Sequence, residues 1–167
     1  MATTPSWDLI IALFFIITIA YGFILQRDKT VITLISVYVA LVVVQILTGP
    51  IQDFFAGDRT IFGQIFIKSS ASPFTIRTVI FAGVIALVSA KSGLASKGEN
   101  SISSIEIFGY SFLNAALILS SVFYFMPDAT RETYASMSRI ANFVISYHNW
   151  WVVLPLILLV VMGWKRE

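Results

Sequence analysis

Cysteine is missing from this chain, which excludes a disulfide framework, a thiolate nucleophile and any Cys-ligated metal. Histidine is nearly missing: His148 stands alone, and without a second imidazole or a thiolate a metal site has no ligand set to draw on. Charge is scarce as well. Asp, Glu, Lys and Arg make up 12% of the residues, against about 25% in a soluble domain. Hydrophobic residues reach 57% and the mean hydropathy is +0.86. So little charge cannot cover the outside of a water-soluble fold of 167 residues, so the bilayer must solvate much of it.

Catalytic signatures are equally sparse. There is no P-loop, no dinucleotide fingerprint and no HExxH, and the fragments "GDRT" and "SKGENS" precede no phosphate-binding helix. Hydrolysis inside a membrane needs paired acids, a Ser–Lys or Ser–His pair, or zinc ligands within spans, and none is present. The expectation is a non-enzymatic chain with no catalytic, cofactor-binding or metal residues. The formal charge of +2 and pI near 9.0 do not indicate a nucleic-acid partner. The basic residues come singly or in pairs beside hydrophobic runs, the pattern of membrane flanks rather than of a phosphate-tracking stripe.

What is present is a series of apolar runs. A span needs about 17–25 mostly apolar residues, and the sequence predicts an all-α, polytopic transmembrane bundle of five spans, with four as the alternative. Their approximate bounds are 9–25, 31–48, 74–90, 105–126 and 150–164, all in one integral membrane domain without repeats. The N-terminal "MATTPSWDLI" carries no Lys or Arg ahead of the first run, so that run is expected to be a retained span rather than a cleaved signal. Trp7, Trp150, Trp151 and Trp164 fall at the expected interfaces, where an amphipathic indole is favoured. Pro155 is expected to kink the last span.

Five spans with the N-terminus outside put Arg27, Lys29, Lys91, Lys97, Lys165 and Arg166 on the cytoplasmic side, in short segments. Arg59, Lys68, Arg77, Arg131 and Arg139 then fall outside. Dropping the 74–90 span would place seven basic residues outside and four inside, which favours five spans, N-out and C-in. Two longer connections, about 51–67 and 129–147, carry apolar residues at helical spacing. They read as amphipathic helices lying in the interface, with Asp128 as an N-cap after Pro127 and an apolar stripe at Met137, Ile140, Ala141, Val144 and Ile145.

Polar residues within spans cost energy and so invite a functional reading. Glu106, Tyr110 and Asn114 recur at steps of four, with Ser121 on the same face. They read either as a polar seam for a solute path or as interhelical hydrogen bonding. Arg77 reads as a lipid or substrate contact, or as a snorkelling span-end arginine. Gln45, Thr33 and Ser36 read as packing glue, and His148 as one member of an interfacial aromatic belt. Ala82, Ala86 and Ala90, beside Gly83, form a small-xxx-small face suited to close helix packing.

The stretch "WDLIIALFFIITIAYGFILQRDKTVITLISVYVALVV" resembles the opening hairpin of the colicin V production protein (CvpA-like) family of small bacterial inner-membrane proteins. Asp8 matches an acid at the start of the first span, Gly22-Phe23 a Gly-aromatic pair near its end, and Arg27 and Lys29 a basic turn. The resemblance covers residues 7–45. It departs from the family where Ile24-Leu25-Gln26 replaces a second glycine, and the family is described with four spans. It implies a non-enzymatic inner-membrane protein assisting toxin production or export, or envelope homeostasis, as a scaffold or interaction partner. A small channel or transporter component using the 105–126 seam is the alternative. The expected partners are the lipid bilayer and other membrane or secretion proteins, met through the outward amphipathic helices, with oligomers allowed and no nucleic acid.

Overall fold

The computed structural model describes residues 6–56, 72–91 and 104–164. Among these the chain is all-helical: α1 (Trp7–Ala56), α2 (Pro73–Lys91), α3 (Ser104–Phe125), α4 (Asp128–Met137), α5 (Arg139–Ser146) and α6 (His148–Trp164). Four stretches are long and apolar enough to cross a membrane, and a fifth if α5 and α6, bent by 67° at their junction, form one span.

The 50 residues of α1 would run about 75 Å if straight, more than twice the hydrocarbon thickness. They do not. The Thr30 hydroxyl donates to the Gly22 carbonyl at 3.4 Å, whereas eight residues of straight helix would hold those levels about 12 Å apart. The chain therefore reverses between two arms, Trp7–Leu25 and Lys29–Asp53, as the polar break in the sequence leads one to expect.

α3 is the axis around which the rest packs. The first arm of α1 lies antiparallel to it, with Phe15 against Phe112 at 5.3 Å and Gly22 against Ser111. The second arm runs parallel to α3, from Thr30 beside Ser111 to Val44 beside Ser121 and Phe125. α2 returns, with Arg77 level with Thr48 and the Ser89 hydroxyl donating to Ser36 Oγ at 3.4 Å. α6 descends along α3 from His148, stacked on Tyr124 at 4.6 Å, to Leu158 beside Gly109. Counting α6 as a pass, the described helices run five times between an N-terminal face, carrying Trp7, and a hairpin face, carrying Lys29 and Lys91.

The distribution of side chains is that of a membrane bundle. Ile16, Ile24, Val79, Ile105 and Val160 are all more than 60% exposed, while Ala40, Ala115, Ala116, Ser36 and Ser121 are fully buried. Lipid tails are as apolar as Leu, so helices associate through close packing of small residues and internal hydrogen bonds rather than by expelling large apolar groups from water. Most of the buried hydroxyls are satisfied within their own helix: Ser36 donates to Ile32 O, Thr48 to Val44 O and Ser121 to Leu117 O.

Several expectations are corrected. The second span does not stop before Pro50: α1 runs through it to Ala56, so the helix expected at 51–67 begins as a continuation of α1, and its remainder lies outside the described residues. The helix expected over 129–147 is two helices, because Ser138 is extended (φ −139°, ψ 126°) and caps α5 by accepting from Ala141 N at 2.9 Å. The break leaves Met137 exposed, and only Ala141 and Val144 of the expected stripe are fully buried. Asp128 is the first residue of α4 rather than its cap, which is Pro127, and its carboxylate pairs with Arg131 at 2.5 Å. Trp151 is packed inside the bundle rather than on its lipid-facing surface. It is 7% exposed, packed edge-on against Phe112 and Phe143. Trp7 and Trp150 are exposed, and the side chain of Trp164 lies outside the described residues. Ala82, Gly83, Ala86 and Ala90 face outward, and α2 packs inward through Ile76 and Phe81.

A candidate binding cavity at the N-terminal face

Four of the polar residues weighed separately in the sequence meet at one place. A cavity of about 650 Å³ lies between the second arm of α1 (Leu41, Val44, Gln45, Thr48) and the start of α6 (His148, Asn149, Val152, Val153). Its third wall is the end of α3, through Ser121, Tyr124 and Phe125, and α2 contributes Arg77. Arg77 is the only Lys, Arg, Asp or Glu among the described lining residues, and no described carboxylate pairs with it.

The helices set this arrangement by register. Leu41, Val44, Gln45 and Thr48 recur at the three- and four-residue spacing of one helical face. Ser121, Tyr124 and Phe125 do the same on α3. Below the cavity, the Tyr38 hydroxyl donates to the Val152 carbonyl at 2.6 Å and holds the second arm of α1 against α6. Pro155, buried inside α6, cannot donate to the Trp151 carbonyl. The 67° bend between α5 and α6 brings His148 and Asn149 over the top of α3.

The donors are unevenly committed. Ser121 and Thr48 spend their hydroxyl protons on their own helices. The side chains of Gln45, Arg77 and Asn149 make no hydrogen bond or ion pair with described residues. His148 Nδ1 is buried without a partner, while its ring lies flat on Tyr124 at 4.6 Å and 5°. Arg131, which sits over the Tyr124 ring at 5.8 Å, is engaged by Asp128.

No family model, curated protein or solved structure matches the chain. The site must therefore be read from its own chemistry.

The polar residues of α3 border two separate cavities, Ser121 one and Asn114 the other. Tyr110, Asn114 and Ser121 are buried and Glu106 half-buried, but Asn114 borders a separate cavity of about 240 Å³ near the hairpin face, with Gly22, Thr30 and Ser111. Between that cavity and Ser121 lie Leu34, Val37 and Leu117, each fully buried. Asn114 Oδ1 and Ser111 Oγ have no partner there.

Of the five residues that carried the sequence resemblance, Asp8 and Gly22 make contacts that hold helices together. The Asp8 carboxylate accepts from the Ser138 hydroxyl at 2.5 Å and from Ile140 N–H at 3.1 Å, tying the first span to the start of α5. At Gly22 α3 packs so tightly on α1 that an added Cβ would collide with Ser111. Phe23 and Lys29 are exposed, and the side chain of Arg27 lies outside the described residues. Among the described residues no group of His, Asp and Glu is placed to hold a metal ion. Sequence reasoning missed Tyr124 and Asn149 as site residues. Their signal, a polar residue at the same level on each of three helices, exists only once the helices are docked.

Proposed function

We propose that this integral membrane protein is non-enzymatic and works by binding, with the N-terminal cavity holding the polar head of a small amphiphile. The observation that carries the reading is the convergence of Gln45, Arg77, His148 and Asn149 from three helices on one cavity of about 650 Å³. That volume falls within the roughly 300–1,000 Å³ of small-molecule sites. The apolar walls, Val44, Phe125, Val152 and Val153, suit the less polar part of such a ligand. The test uses the cysteine-free background. Gln45→Cys should react with a water-soluble maleimide, and added amphiphile should protect it unless Val153→Trp fills the cavity. A Gln45→Cys that never reacts, or that no amphiphile protects, counts against the reading.

A second reading is supported by α4. No residue of this helix is buried, yet Asp8 and Ser138 fix its end. It is a surface held in place, as a CvpA-like scaffold in toxin export or envelope assembly would need, on the outer side of a bacterial inner membrane. A photo-crosslinker at Met137 should capture another membrane protein. Capture of lipid alone, or of a second copy alone, removes that reading.

A further inference from the structure

Resting on the cavity reading, we infer that the polar head held there is a phosphate group, carried by an anionic phospholipid that docks with its phosphate against Arg77. Three independent features point to it.

The first is the charge. Arg77 has no carboxylate partner among the described residues, which leaves its charge available to an anion of the headgroup layer. Its planar fork of donors matches phosphate oxygens in bidentate fashion. No described Asp or Glu lines the cavity to repel an anion. The second is the surplus of donors. The amides of Gln45 and Asn149 are uncommitted beside Arg77, and together with the guanidinium they offer more N–H groups than the two oxygens of a carboxylate can use well. A phosphate presents more acceptor oxygens.

The third is depth. Arg77 lies four residues into α2, Tyr124 is the penultimate residue of α3, and His148 and Asn149 open α6. Arg77, Tyr124, His148 and Asn149 therefore sit within about 6 Å of their helix ends, at the level of lipid headgroups, while Gln45 reaches the cavity from deeper in the second arm of α1. Leu41, Val44, Val152 and Val153 continue from that level toward the bilayer centre along the path of an acyl chain. A ligand with its charge at the rim and its tail below satisfies both parts of the wall. A wholly water-soluble anion would leave the apolar part wet.

The experiment is native mass spectrometry of the full chain released from detergent micelles doped equally with phosphatidylglycerol and a galactosyl-diacylglycerol of the same acyl chains. Wild type should retain phosphatidylglycerol about tenfold better, the ratio a charge-assisted pair supports. Arg77→Gln should erase that preference and Arg77→Lys keep part of it. Gln45→Leu, at an exposed position, should lower it about threefold, and it tests the site even if Arg77→Gln fails to fold by circular dichroism. Equal retention of both lipids, lost on Val153→Trp, would overturn the phosphate assignment and leave the cavity reading standing. Equal retention unaffected by Val153→Trp would overturn both. In a parallel arm, inorganic phosphate alone is added. If it raises the melting temperature of wild type but not of Arg77→Gln, while phosphatidylglycerol is not retained, the source is soluble phosphate and the lipid assignment is overturned.

Discussion

Gly22→Ala is the substitution on which helix propensity and packing disagree most sharply. By propensity alone, alanine inside a helix is favoured over glycine by about 1 kcal/mol. By packing, the added Cβ would land 1.8 Å from Ser111 Oγ and 2.7 Å from Ser111 Cβ. The hydroxyl can rotate away, but the Ser111 Cβ is fixed to the α3 backbone, so relieving the clash requires α1 and α3 to separate by nearly 1 Å. A gap of that size forfeits a quarter to a half of each dispersion contact along the seam. Overpacking of this kind costs about 3 kcal/mol at the upper end. Less the propensity gain of about 1 kcal/mol, the net loss is about 2 kcal/mol, or a fall of about 4–8 °C in melting temperature. Circular dichroism of thermal unfolding in a mild detergent reads this directly. Ser111→Gly removes both clashing atoms and should restore most of the loss in the double variant. Ser111→Ala removes only the oxygen and should restore little. A Gly22→Ala protein that melts at or above wild type would refute the reasoning.

Two further outcomes follow from the same contacts. Asp8→Ala removes the one carboxylate oxygen that accepts both hydrogen bonds at the start of α5, so hydrogen exchange at the Ile140 and Ala141 amides should speed up while α3 amides keep wild-type rates; unchanged exchange would mean Asp8 does not hold α5. If the N-terminus lies outside, as the distribution of basic residues predicts, Ser136→Cys in intact cells should label from the medium and Lys91→Cys only after permeabilisation, and the reverse pattern would invert the topology.

The hairpin of α1 is legible because its cause is local: four polar or charged residues, Gln26 to Lys29, interrupt an apolar run too long to cross once. The run at 105–126 is legible for the same reason. The break at Ser138 is not, since its driving contact is the Asp8 carboxylate 130 residues earlier in the chain, and the apolar periodicity runs on across it. Trp151 misleads because an indole is at home at an interface and in a core alike, and only the bend between α5 and α6 turns it toward Phe112. The cavity was visible in pieces. Arg77, Gln45, Ser121 and His148 each stood out as a polar residue in or beside a span, and each on its own has an ordinary structural explanation. Their meeting depends on the second arm of α1 running parallel to α3 and on α6 folding back over Tyr124, neither of which has a sequence signature.

The central claim is that these distant residues share one cavity, and its most direct test is a crosslink across it. A sphere of about 650 Å³ is about 11 Å across, so a short bis-maleimide should join Gln45→Cys to Asn149→Cys within one chain, and phosphatidylglycerol should slow the reaction. If that pair fails to crosslink while Trp7→Cys and Tyr134→Cys, whose native rings lie 4.7 Å apart, are joined under the same conditions, the cavity does not exist as described.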